Sequence, residues 1–225
     1  MKRIDLETYR QILASSTVLE RDAYGEKVLV LPDGNLVKIF RRKRWLSSAL
    51  FFPYARRFVR NARRLAEIPI ATLTVLDICY CGAVNRHLVT YRPLPGETLR
   101  SRLRDNPQER PALLSKLAGF IAELHQSGVY FRSVHFGNII VMPDRQRLGL
   151  IDVADMAIRH RPLPVAERLR NFRHMLRYEE DAGFLREYGW ENLFDGYLEA
   201  ASLAPDDKQK LSAGLGRLPG RNPLD

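Results

Sequence analysis

The sequence predicts an α+β chain in two parts, a small strand-rich one followed by a larger, mainly helical one. Three observations predict it. Residues 26–40 hold two apolar, β-forming runs joined by Pro32-Asp33-Gly34, the pattern of a hairpin. Residues 110–127 carry Leu113, Leu114, Leu117, Ile121 and Leu124 at helical spacing and stop at Gly128, a residue suited to end a helix. A second pair of short apolar runs, ending in Leu148-Gly-Leu-Ile151, brackets a turn at Pro143-Asp144. The division is placed after the strand that ends at Tyr91, giving parts 1–91 and 92–225.

Within the first part, Glu26–Leu31 and Asn35–Phe40 are the hairpin strands, with Lys38 set among apolar residues as Leu-Val-Lys-Ile-Phe. An ammonium is costly to bury without a partner, so Lys38 is either a ligand-binding lysine or an edge lysine turned to solvent. Residues 55–66 place apolar side chains at 55, 58, 59, 62, 65 and 66, a helix with a basic outer face. His87–Tyr91 reads as a strand and Arg92–Glu97 as a connector. In the second part, His125 reads as a packing residue at a helix end. Three further helices are expected near 165–177, 179–188 and 191–203, with Arg168, Arg170, Arg173 and Arg177 mostly on a solvent face. The tail from Ala213, rich in Gly, Pro and Arg, is expected to be poorly ordered.

The chemistry lies in Gly128–Val141, GVYFRSVHFGNIIV, and in the Asp that follows the LGLI run. Phosphoryl transfer needs one group to orient the attacking hydroxyl and two to hold magnesium against the nucleotide phosphates. In the kinase pattern H-R-D-x-x-x-x-N, the Asp is the base and the Asn a metal ligand. Asn138 fits the ligand, so Phe131, Arg132 and Ser133 fall on His, Arg and Asp, and a serine stands where the base belongs. Asp152, fourteen residues beyond Asn138, is the second metal ligand, returned to the same place by the hairpin. His135 has the intrinsic pKa to replace the base; the alternative is a structural loop histidine. With this loop downstream, Lys38 reads as the strand lysine that holds the nucleotide phosphates, and Tyr91 marks the segment whose backbone would hold adenine. The whole pattern implies a two-lobed protein-kinase-like fold using ATP and Mg2+.

Three departures weaken that pattern. The segment before the hairpin, Leu19–Gly25, has one glycine and no GxGxxG, so phosphate cradling rests on few backbone amides. The helix at 55–66 offers Asn61 where a glutamate would pair with the strand lysine, and the nearest acid is Glu67 at its end. After Asp152 the chain reads Val-Ala-Asp155 rather than Phe-Gly.

Composition bounds the remaining classes. With 45% hydrophobic and 28% charged residues the chain is an ordinary globular protein, and its apolar runs are too short to span a bilayer. The opening MKRIDLETYR lacks an apolar signal core, so a cytoplasmic location is expected. Cys79 and Cys81 have no further ligands at zinc spacing and read as buried thiols. Of a net charge of +10, nearly all lies between Arg41 and Ala66, where nine Lys/Arg meet no acid. Aromatic and leucine residues between those basic clusters suit an anionic membrane surface bound through 41–64, or a phosphorylated substrate; a solvated basic helix is the alternative. No zinc-finger spacing or RNP-like motif supports nucleic acid.

The segments VKIFRRKRWLSSALFFPYARRFVRNARRL, YRPLPGETLR, GVYFRSVHFGNIIV and LGLIDVADM resemble the bacterial lipopolysaccharide core (Kdo/heptose) kinases, most of all a divergent branch described as toluene-tolerance or InaA-like. The resemblance covers roughly residues 18–200. It implies ATP-dependent phosphorylation of a core sugar hydroxyl at the cytoplasmic face of the inner membrane, with the protein peripheral there. It assigns Lys38 to phosphate binding, Asn138 and Asp152 to the metal, and Ser133 to the base position. The alternatives are a pseudokinase serving the envelope pathway as a binding module, and a protein or small-molecule kinase on the same fold.

Overall fold

The structure, a computed structural model, describes residues 1–41, 54–144 and 147–218. The chain divides into two compact units, Met1–Leu94 and Pro95–Asp225. The division falls three residues beyond the expected one, because the last strand of the first unit continues through Arg92 before the prolines end it.

In the first unit, the chain order is β1 (Lys2–Ile4), α1 (Leu6–Ala14), β2 (Thr17–Asp22), β3 (Gly25–Val30), β4 (Leu36–Arg41), α2 (Tyr54–Ala66), β5 (Ala71–Thr72), β6 (Thr74–Cys81) and β7 (Arg86–Arg92). Six strands form one sheet in the order β1-β6-β7-β4-β3-β2. The β3–β4 hairpin turns where Pro-Asp-Gly was read. Gly34 takes φ +81°, the Asp33 carboxylate accepts the Asn35 N–H at 3.0 Å, and the Leu31 N–H donates to the Asn35 carbonyl at 2.8 Å.

Strand alternation gives this sheet two working faces. Leu29, Val37, Ile39, Cys79 and Leu88 make a core on one face, covered by Tyr9, Ile12 and Leu13 of α1. The other face carries Lys38, Phe40 and Tyr91, and α2 meets it through Phe58, whose ring lies 5.5 Å from Phe40 and 5.6 Å from Tyr91. Helix α1 went unread in the sequence. It is capped by Asp5, which accepts the Thr8 N–H at 2.8 Å, and a nine-residue helix depends on such packing for its stability. Cys79 and Cys81 are buried free thiols on this sheet, and burial raises the Cys79 pKa.

The second unit begins with β8 (Glu97–Thr98), α3 (Leu99–Asp105) and α4 (Arg110–Gln126). There follow β9 (Val129–Phe131), β10 (Ile139–Val141), β11 (Leu148–Leu150) and β12 (Met156–Ile158). Four helices close it: α5 (Val165–Met175), α6 (Glu179–Tyr188), α7 (Trp190–Ala200) and α8 (Pro205–Leu215). Leu114, Leu117, Leu124, Phe172, Leu193 and Tyr197 lie in its core. Gly128 ends α4 at φ +75°, and a Cβ there would stand 2.6 Å from the carbonyl oxygens of both Arg159 and Arg161. Glycine is therefore required by conformation and by space.

Two expectations are corrected here. Arg168 is not on a solvent face: it is 1% exposed, donating to the Leu163 carbonyl at 2.7 Å, the Tyr197 hydroxyl at 2.8 Å and Gln126 Oε1 at 3.3 Å. Its long stem fills the core while neutral oxygens receive the guanidinium. The chain from Ala213 does not lose structure at once, since α8 runs to Leu215 and both Leu215 and Leu218 are buried. The rest of that tail, 219–225, lies outside the described residues, as does the 42–53 portion of the basic segment. Among the described residues no helix is long and apolar enough to cross a membrane.

Candidate active site

The first unit holds Lys38 and Tyr91. Lys38, central in β4 between Val28 and Val89, is 8% exposed, and its Nζ lies 5.8 Å from the Phe40 ring centre and 5.7 Å from that of Phe58. Those aromatic faces favour a cation, so the lysine is held on the α2 face of the sheet rather than turned to solvent. Helix α2 contains no acid; Asn61, 2% exposed, is the polar residue on its buried face, one turn beyond Phe58. Tyr91 is paired with Leu36 on one flank and Val75 on the other, and its ring packs on Phe58. Its side chain is a core element. Pro93 and Pro95 lack N–H groups, which leaves Leu94 as the first backbone donor beyond the strand.

The expected phosphate loop is a two-residue turn, Ala23-Tyr24, between β2 and β3. Asp22 accepts the Tyr24 N–H at 2.8 Å and Arg41 Nη1 at 2.5 Å, and the Arg41 guanidinium lies 5.4 Å from the Tyr24 ring centre. Arg41 holds the Asp22 carboxyl below its ordinary pKa.

The second unit carries the loop. The β9–β12 ladder pairs Phe131 with Met156, and the Arg132 N–H extends it by donating to the Asp155 carbonyl at 3.1 Å. The chain then turns through Ser133 to Asn138. Asn138 Nδ2 donates to the Ser133 carbonyl at 3.0 Å and so closes the loop on itself. That bond uses one of the two amide N–H groups, and Oδ1, the acceptor end of the amide, is the atom that could meet a cation. The Asn138 carbonyl accepts the Ile151 N–H at 3.0 Å, and β10 pairs with β11 so that Ile139 faces Leu150. Asp152 therefore emerges beside Asn138 at the same end of the hairpin. It takes φ +53°, ψ +44°, a left-handed conformation that Asp tolerates better than most residues and that is concentrated at functional sites.

One amide oxygen and one carboxylate make a hard-oxygen donor set that fits magnesium, whose remaining positions go to phosphate and water. Among the described residues no cluster of three His, Cys, Asp or Glu could hold a metal, so a closed site of those ligands is not formed there.

His135 and Ser133 differ in what surrounds them. The His135 ring packs tilted against Tyr178, centres 4.4 Å apart, and its Nδ1 lies 3.4 Å from Arg100 Nη2. Burial first, and then Arg100, lower its pKa below the ordinary value, although Asp181 and Asp152 oppose them. With Nδ1 turned to a cationic donor, the neutral ring keeps its proton on Nε2. Ser133 instead donates Oγ–H to Asp155 Oδ2 at 3.4 Å, while Arg132 Nη2 holds Asp155 Oδ1 at 2.6 Å.

Two acids shape this loop without having been singled out in the sequence. Asp155 stands in the sequence only as a departure from Phe-Gly. Asp181 is fully buried in the first turn of α6, where it accepts the Phe136 N–H at 2.8 Å and two bonds from Arg100 at 2.7 and 3.0 Å. An acid in a first helical turn is ordinary, so nothing local marks this one as gripping a loop.

The comparisons with known proteins add fold but no family. No family profile and no curated protein matches the sequence. Among solved structures, the bifunctional kinase-methyltransferase WbdD is similar to this chain at 17% identity and a TM-score of 0.50, over 85% of this chain and 42% of that one. The chain thus spans less than half the length of that structure. The fold is α+β and kinase-like, with a strand-rich N-terminal unit and a helical C-terminal one.

Proposed function

We propose that this protein is an atypical ATP-dependent phosphotransferase with an alcohol acceptor. One observation carries the reading: the β10–β11 hairpin returns the chain into Asp152 at the end of the ladder where Asn138 closes its loop onto Ser133. Magnesium held there would offset charge on the transferring phosphoryl group. Lys38, held among aromatic rings in β4, is the residue for the nucleotide phosphates. Leu94, the first backbone donor beyond β7, is the one for adenine. The acceptor we infer is a sugar hydroxyl of lipopolysaccharide core, met at the cytoplasmic face of the inner membrane. The resemblance of the loop segments and the basic excess over 41–64 support that choice.

Ser133 favours a second reading, a nucleotide-binding module of the envelope pathway without turnover. General-base help is typically worth ~10²–10⁴-fold, about 3–5 kcal/mol of barrier, and phosphoryl transfer relies mainly on positioning. Loss of the base therefore slows transfer without removing its main source.

The test is incubation with radiolabelled ATP, magnesium and deacylated lipopolysaccharide core, beside Lys38→Ala and Asp152→Ala. Label on the carbohydrate with wild type and none with either variant is expected. Magnesium-dependent thermal stabilisation by ATP without any label transfer would favour the binding module; no response to nucleotide would sink both readings.

A further inference from the structure

We propose that Asp155 supplies the carboxylate that the loop lacks, acting on the acceptor through the Ser133 hydroxyl. This inference rests on the phosphotransferase reading above.

The placement of Asp155 follows from the sheet. Phe131 faces Met156 in the β9–β12 ladder, and the Arg132 N–H bonds to the Asp155 carbonyl, so the 155 side chain is delivered beside residues 132 and 133 by backbone register. Arg132 Nη2 fixes one carboxylate oxygen at 2.6 Å, which leaves Oδ2 for Ser133 at 3.4 Å. That separation is long for a hydroxyl–carboxylate bond, but bonds between catalytic groups are often long before substrate binds and tighten in the complex. The Arg132–Asp155 pair does not account for itself by stability. Its side chains are 46% and 36% exposed, and exposed pairs contribute little, about 0–1 kcal/mol before screening by salt.

The neighbouring histidine is less suited to the task. His135 Nδ1 faces Arg100, and its ring packs tilted against Tyr178. Asp155 is the carboxylate hydrogen-bonded to the side chain at the base position.

The step balances without another reactant. The acceptor oxygen bonds to the γ-phosphorus of ATP as the bond from that phosphorus to the β–γ bridging oxygen breaks, and ADP departs with the electron pair. The acceptor proton passes to Ser133 Oγ while the Ser133 proton moves to Asp155 Oδ2. Asp155 is thus a relay and positioning residue, and Ser133 touches the acceptor.

The experiment measures ADP formation from ATP and magnesium, with water and with deacylated lipopolysaccharide core as acceptors. It compares wild type, Ser133→Ala, Asp155→Asn, Ser133→Ala combined with Asp155→Asn, and Ser133→Asp combined with Asp155→Asn. Thermal stabilisation by magnesium and ATP is recorded for each. Asp155→Asn is expected to lower kcat ~10²-fold, within the range for general-base help, while KM for ATP changes less than about threefold. Combining Ser133→Ala with Asp155→Asn should cost no more than either alone, because the two act as one unit. Moving the carboxylate, by Ser133→Asp in the Asp155→Asn background, should restore the rate to within about tenfold of wild type. A merely structural Asp155 would not be rescued from position 133. Wild-type kcat in Asp155→Asn, or no rescue by Ser133→Asp in the Asp155→Asn background, would overturn the relay. Absence of ADP formation by wild type, with or without nucleotide stabilisation, would instead remove the phosphotransferase reading on which it rests.

Discussion

Asn138 shows how one side chain can hold a loop: its Nδ2 donates to the Ser133 carbonyl five residues back, and Oδ1 is the atom the proposed magnesium site would use. Behind the loop, a chain of hydrogen bonds fixes where it starts. Arg168 donates to the Tyr197 hydroxyl, which lies 2.8 Å from His125 Nδ1; His125 Nε2 lies 3.0 Å from Asn171 Oδ1, and Asn171 Nδ2 donates to the Phe131 carbonyl at 2.6 Å. The network has a consistent direction when His125 is neutral with its proton on Nε2, accepting from Tyr197 and donating to Asn171. Complete burial pushes the His125 pKa from 6.5 down to about 3. Between those values the unfolded chain binds a proton that the folded chain refuses, so this stabilisation is present above pH 6.5 and lost as pH falls toward 3. The cost approaches about 1.4 kcal/mol per pH unit for one proton. Urea midpoints should therefore fall from pH 7.5 to 5.5, and His125→Gln should flatten that dependence. Equal slopes in the two proteins would contradict it. Lys38, Asn138 and Asp152 were legible as candidates because their spacing in the chain is the signal. Asp155 and Asp181 were not, because their contacts join residues 22 and 45 positions apart through sheet register and helix packing.

Among elements, those with local punctuation were legible. Pro32-Asp33-Gly34 specified the β3–β4 hairpin, and Gly128 specified the end of α4 with its leucine stripe. Gly128→Ala combines a left-handed backbone with contact against two fixed carbonyl oxygens. It should cost more than about 2 kcal/mol in urea unfolding, beyond the 1–2 kcal/mol of the backbone alone. A loss below about 0.5 kcal/mol would show that the α4–β9 turn can open, contrary to the geometry. Elements stabilised from outside themselves were harder to read. Strand β1 is three residues held parallel to β6, and α1 is short and drawn together by the sheet beneath it. Arg168 sat in a basic helical pattern that reads as solvated, because periodicity does not reveal an arginine whose acceptors come from α4, α7 and the chain before α5.

At the scale of the molecule, candidate residues fall in both units. The strand-rich unit has Lys38 held among aromatic rings on the α2 face of its sheet; the helical unit has Asn138 closing its loop onto Ser133 and the Ser133 hydroxyl bonded to Asp155. The departures from the kinase pattern fall on groups that clamp and activate: the two-residue turn at Ala23-Tyr24, Asn61 on α2, and Ser133 in the loop. The central claim is that Asn138 and Asp152 form a working magnesium–nucleotide site. Calorimetric titration of ATP into the full chain, with and without magnesium, tests it most directly when Asp152→Asn is titrated beside wild type. Saturable binding that weakens at least about tenfold, or 1.4 kcal/mol, on removing magnesium or in Asp152→Asn is the result expected. Absence of binding, or binding that neither change affects, would contradict it.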